Sequence, residues 1–166
     1  MVQVVAIVTS LAFGGVIIVV MGLIFFGGGG TSAQQQAVND AKSRVEREPR
    51  NTDAWQGLAS AYFANDQGAE AIAAARKAVT LAPRDIRAAQ TLVSVQPQPA
   101  AKVAAMQAFT EANPRNADGF STLGQLAEQA GSTALARLAY QRFLQLRPDD
   151  RLAAEVRARI KQLSGS

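Results

Sequence analysis

The sequence predicts an all-α protein: a single N-terminal transmembrane helix followed by a helical-repeat, α-solenoid domain. Three observations predict it. Residues 1–39 hold none of the chain's charges, 17 Lys and Arg against 13 Asp and Glu. Val2 to Phe26 is a run of 25 residues with nineteen apolar side chains, three Gly and only Gln3, Thr9 and Ser10 polar. Beyond it the chain turns polar, and prolines punctuate it at Pro49, Pro83, Pro114 and Pro148, at intervals of 34, 31 and 34 residues.

The composition also excludes chemistry. The chain has no Cys and no His. That removes disulfides, a thiolate nucleophile, the usual zinc ligands, an imidazole base and the common haem ligands. Paired acids such as Asp149-Asp150, or Glu46 with Glu48, have no partners that suggest acid–base work. The expectation is therefore a non-catalytic protein with no cofactor. Four glycines at 27–30 lack the strand and the Lys-Ser/Thr context of a phosphate loop, so they read as linker. The basic stretch Arg151 to Lys161 has no aromatic interleaving for base stacking, and no nucleic-acid partner is expected.

The first element is the anchor, residues 1–26. A spanning helix needs ~20 predominantly apolar residues, so the run is long enough with some tilt. In hydrocarbon the backbone must bond to itself, which forces helix despite the many Val and Ile. A cleaved signal peptide is the rival, with Thr31-Ser32-Ala33 as the small-residue site. The missing basic n-region and the length of the apolar run favour a retained anchor. Ala6, Ser10 and Gly14 are spaced four apart, and Gly15 and Gly22 seven apart. Such small residues let a second membrane helix approach closely. Lys42, Arg44, Arg47 and Arg50 follow the span and nothing basic precedes it. This favours a cytoplasmic soluble domain, with the extracytoplasmic side as the alternative.

A Gly/Ser/Gln linker, residues 27–36, separates the anchor from a domain at 37–166. A capping helix runs to residue 50. The first unit, 52–85, holds Trp55, Leu58, Tyr62, Ala71, Ala78 and Pro83. Ala59 stands where a small Gly is usual, and Ala75 where a bulky aromatic is usual. The third unit, 117–150, holds Phe120, Leu123, Gly124, Ala127, Ala136, Tyr140, Phe143 and Pro148. The middle unit, 86–116, keeps Ala89, Leu92, Met106, Phe109 and Pro114. It is degenerate, having lost three residues around Pro97 and Pro99, which shorten its first helix and start its second. Leu152, Val156, Ile160 and Leu163 then fall on one face of a C-terminal capping helix, 151–163.

These residues and their period resemble the tetratricopeptide family, whose unit is a helix–turn–helix of 34 residues. The resemblance implies that small residues let paired helices pack closely. Large ones, Trp55, Tyr62, Tyr140 and Phe143, fill the holes between them. It also implies a groove lined by the first helix of each unit. Candidate groove residues are Asp53, Gln56, Ser60 and Phe63, then Arg87, Gln90 and Ser94, then Asp118, Ser121, Gln125 and Glu128. The family's chaperone-binding members clamp a terminal carboxylate with Lys, Arg and Asn at such positions. Here they are mostly Gln, Ser and acids, so no carboxylate clamp is expected.

The function expected is that of a membrane-anchored scaffold, an accessory or assembly subunit of a larger membrane complex. Its partners would be other membrane subunits, reached through the anchor and the repeats, and the lipid bilayer itself. The layout, with Asn51-Thr52-Asp53-Ala54-Trp55 after Pro49, also resembles membrane-anchored repeat subunits of cytochrome c maturation. That resemblance implies, as the alternative, a chaperone-like role in an assembly pathway.

Overall fold

The computed structural model describes residues 32–165. The expected anchor, its stripe of Ala6, Ser10, Gly14, Gly15 and Gly22, and the four glycines lie outside the described residues. Among the described residues no helix is long and apolar enough to cross a membrane.

The described residues form eight helices in order: α1 (Ala33–Arg47), α2 (Thr52–Ala64), α3 (Gly68–Leu81), α4 (Ile86–Ser94), α5 (Pro99–Ala112), α6 (Ala117–Gln129), α7 (Thr133–Leu146) and α8 (Ala153–Ser164). Two boundaries differ from the sequence reading. Ala33–Gln36, assigned above to the linker, form the first turn of α1. Ser32 starts it, its Oγ accepting from Gln35 N at 3.1 Å and its carbonyl from Gln36 N at 2.9 Å. At the other end α8 begins at Ala153 rather than 151, leaving Leu152 outside the helix and partly exposed.

Short turns join helices that pack on each other, so consecutive helices run antiparallel. Turns within a unit therefore lie along one edge of the stack, and turns between units along the other. Within unit one, Asp66 takes a left-handed φ of 58°, and Gly131 takes 74° at the equivalent place in unit three. The flanking bonds repeat as well: Gln67 N donates to Tyr62 O at 2.9 Å, and Ser132 N to Ala127 O at 2.7 Å. The middle unit has no such turn. Its deletion is absorbed at Gln96-Pro97-Gln98, α4 is only 9 residues long, and Pro99 opens α5 at a position whose N–H would have no helical partner.

The turns between units are built alike. Asn51 N donates to Glu48 O, Asp85 N to Ala82 O and Asn116 N to Asn113 O, each at 3.0 Å, and Asp150 N to Arg147 O at 3.4 Å. In each the second residue is proline and the fourth is Asn or Asp. That fourth side chain then accepts from the following backbone: Asn51 from Asp53 N, Asp85 from Arg87 N and Asn116 from Gly119 N, each inside the next helix, and Asp150 from Leu152 N just before α8, at 2.9–3.0 Å. A side-chain oxygen here satisfies an N–H that the helix itself cannot. The proline carbonyls are used too. Pro49 O accepts from Trp55 Nε1 (2.9 Å) and Pro83 O from Asn113 Nδ2 (2.8 Å), while Pro114 O and Pro148 O accept from Arg142 and Arg157 (3.2 and 2.8 Å).

The core is a chain of three clusters along the stack, because each unit needs its neighbours to cover its apolar face. The first joins Val45, Ala54, Leu58, Ala59, Ala71 and Ala75. The second centres on Met106, Phe109 and Leu123, and the third on Ala136, Tyr140, Phe143 and Val156. Of the residues assigned to the repeat core, Leu58, Ala71, Ala78, Leu123, Gly124, Ala136, Tyr140 and Phe143 are buried. Trp55 and Tyr62 are only half-buried and pack on the rim of the first cluster. Each has a polar reason to stay there. The Trp55 indole N–H reaches the turn carbonyl of Pro49, and the Tyr62 ring lies under Lys42, whose Nζ is 5.5 Å from its centroid.

Candidate functional site

The face formed by the first helices, α2, α4, α6 and the capping α8, does not gather the candidate residues into one site. It divides into two clusters and a set of isolated positions.

In the first cluster α2 meets α4. Arg87 lies 3.4 Å from Asp53 and 3.0 Å from Asp85. The hydrogen bond it donates to Asp85, then the two negative charges, push the guanidinium further above its ordinary value. The same bond holds the Asp85 carboxyl below the usual carboxylate range, against a smaller opposing effect of burial. Arg87 is thus engaged by two acids. One turn along α4, Thr91 Oγ1 lies 3.2 Å from Gln56 Oε1 and 2.9 Å from Arg87 O. One hydroxyl proton cannot serve both acceptors, and the Gln56 amide nitrogen is buried with no hydrogen-bond partner. A half-turn of that amide resolves both points: Gln56 Nε2 donates to Thr91 Oγ1, and the hydroxyl donates to Arg87 O.

In the second cluster α6 meets α8. Ser121, Gln125 and Glu128 line a cleft of about 420 Å³ with Tyr140, Glu155 and Arg159. Glu128 is the hub: Arg159 pairs with one carboxylate oxygen, and the Tyr140 hydroxyl donates to the other at 3.2 Å. Burial, then the charge of Glu155, raise the Tyr140 phenol above its ordinary value. Sequence reasoning reached Ser121, Gln125 and Glu128 but missed Tyr140 and Arg159. In the sequence Tyr140 reads as a packing residue, and Arg159 as one charge of the basic stretch Arg151 to Lys161. The signal for Arg159 is available in retrospect, since it falls on the same turn of the capping helix as Ile160.

The remaining candidates stay apart. Ser60 and Ser94 turn back onto their own helices, donating to Gln56 O at 3.0 Å and Thr91 O at 2.8 Å. Gln90 is exposed on α4. Phe63, 52% exposed at the end of α2, is the large apolar side chain this face offers. Asp118 is held by the fork of Arg147, with bonds of 2.8 and 3.2 Å. Among the described residues no group of three or more acids is placed to hold a metal ion.

Residues 35–95 and 98–151 match family models described as tetratricopeptide repeat. No curated protein matches the chain. Among solved structures, MamA is similar at 18% identity with a TM-score of 0.51, over 82% of this chain and 95% of the other. The first TPR of Spaghetti (RPAP3), bound to the HSP90 peptide SRMEEVD, is similar at 19% identity with a TM-score of 0.53, over 69% and 96%. Pseudomonas aeruginosa pilF is similar at 19% identity with a TM-score of 0.54, over 86% of this chain and 63% of the other. At these identities the likeness is one of fold.

Proposed function

We propose that this chain, a tetratricopeptide-repeat protein, is a membrane-anchored scaffold that holds or assists the assembly of a larger membrane complex through protein contacts. The observation that carries the reading is the joining of a charge-free, 25-residue apolar run to a repeat domain within a few residues. An anchor of this kind confines the repeats to a thin layer at the membrane, which raises their effective concentration for membrane partners. The first-helix face supports a binding role rather than catalysis. Its charged groups are already paired with each other, while Phe63, Gln90 and Gln125 remain exposed for contact.

Lys42, Arg44, Arg47 and Arg50, which follow the apolar run, favour the cytoplasmic side for the repeat domain. The Asn51-to-Trp55 stretch that resembles cytochrome c maturation subunits has a local explanation. Asn51 caps α2 and Trp55 ties back to Pro49, as the turn between units requires.

Extraction of the full-length protein in mild detergent, followed by size-exclusion chromatography, tests the reading. A stable subunit elutes with its partners at constant stoichiometry. Elution as a free protein under conditions that preserve other membrane complexes counts against it.

A further inference from the structure

The turns between units carry a feature that the groove does not absorb. In three of the four, the residue after proline is arginine: Pro49-Arg50-Asn51, Pro83-Arg84-Asp85 and Pro114-Arg115-Asn116. The fourth turn ends the series with Asp149. Each arginine sits between two fixed neighbours, a proline whose carbonyl is bonded and an Asn or Asp that caps the next helix. The backbone at all three points is therefore held in one geometry, and the three side chains leave it from equivalent positions on the same edge.

All three arginines are exposed, and among the described residues none has an ion-pair or hydrogen-bond partner. The acids close to them are taken elsewhere. Glu48 is engaged by Arg44 and Asn51, Asp85 by Arg87, and Asp118 by Arg147. Arg84 and Arg115 line one open cleft of about 520 Å³ with Asn113, Pro114 and Asn116. The opposite edge contrasts sharply. Its turns, Asn65-Asp66-Gln67, Gln96-Pro97-Gln98 and Ala130-Gly131-Ser132, contain no basic residue.

We propose that this edge is a second binding surface, distinct from the first-helix face, for an extended acidic segment of a partner protein. Asn113 reaches the carbonyl of Pro83 and Arg87 lies 3.4 Å from Asp53, so the turns of neighbouring units stand side by side, at about the ~8–10 Å of packed helices. A polyproline II segment advances ~3.1 Å per residue with three residues per turn, so a carboxylate at every third residue stays on one face and meets that spacing. Each guanidinium offers a planar fork that matches a carboxylate. Nucleic acid fits less well, because no exposed aromatic lies among the turn residues to stack a base.

The test uses the full-length protein in mild detergent and a rhodamine-labelled peptide of repeated Glu-Ser-Ser, with binding read by fluorescence anisotropy at low salt. Replacing Arg50, Arg84 and Arg115 together by Gln should weaken binding by about 10-fold or more, given the modest contribution of each exposed pair. Replacing Arg76, Lys77 and Lys161 by Gln removes equal charge from other surfaces and should change it less than ~2-fold. Both triple variants should melt as the parent does. Equal binding by the turn variant, or equal binding of a Gln-Ser-Ser peptide, overturns the proposal. So does displacement of the peptide by a single-stranded oligonucleotide or by phosphatidylserine vesicles at lower charge concentration than the unlabelled peptide requires.

Discussion

The ring of Tyr140 occupies the space that a side chain on Gly124 would need: a Cβ built on Gly124 would fall within 3.0 Å of three of its ring carbons. Unit one has Ala59 and Ala75 at the equivalent positions, both fully buried. A small residue faces a large one in unit three, and two small ones face each other in unit one. Gly124→Ala should therefore destabilise by ~1–3 kcal/mol, despite the gain in helix propensity, because Tyr140 is buried and tied to Glu128. In a Tyr140→Ala background the same change should cost nothing, which a double-mutant cycle by denaturant melts would show. Additive costs would mean that the ring yields freely.

Trp55 should separate its two roles by graded substitution. Trp55→Phe keeps the rim packing and loses the bond to Pro49 O, which should cost ~0.5–1.5 kcal/mol. Trp55→Ala should cost about 3 kcal/mol, at the low end for such truncations because the ring is only half-buried. Thermal melts followed by helix signal check both. If Phe costs as much as Ala, the hydrogen bond and not the packing is the larger part.

Asp66 holds a left-handed backbone without being glycine, whereas Gly131 fills the equivalent place in unit three. Asp66→Gly should raise stability by ~0.5–1 kcal/mol, since the conformation costs glycine little. Gly131→Ala should lower it by ~1–2 kcal/mol. No contact explains a different sign at Gly131, where an added Cβ meets open space. A fall in melting temperature for Asp66→Gly would show that the carboxylate does more than occupy the turn.

The raised Tyr140 phenol carries a pH dependence with a definite sign. The folded protein holds this proton more tightly than the unfolded chain, whose tyrosine titrates near ~10. The stability it contributes is complete below that value and is lost as pH rises through the folded value. Denaturant melts between about pH 8 and 11 should lose stability at the alkaline end, and Tyr140→Phe should flatten that loss. An unchanged alkaline slope in the variant would place the effect on other groups.

Much of the fold was legible because its signals are periodic. Proline spacing, together with small and large residues at fixed offsets, located the units and the shortened one. The site was less legible because pairing across the stack is a tertiary fact. Arg87 looks like a free groove cation in sequence, yet Asp53 and Asp85 converge on it. Glu128 looks like one polar residue among several, yet it joins Tyr140 from α7 and Arg159 from α8. Trp55 matches the position that fills an inter-helix hole. Only the turn carbonyl of Pro49 explains why it stays on the rim. The start of α1 was obscured by Gln34-Gln35-Gln36, which reads equally as linker or as good helix former.

The anchor is the part of the account on which the scaffold function rests, and one measurement addresses it most directly. Membranes from cells expressing the full-length chain are washed with alkaline carbonate, extracted in mild detergent, and compared with a variant whose residues 2–26 are replaced by an unrelated apolar helix. The account predicts that both stay with the membrane through the wash. Only the native anchor, with Ala6, Ser10 and Gly14 free to approach a partner helix, should copurify fully with the partner complex. Release of the native protein into the carbonate supernatant would contradict the central claim.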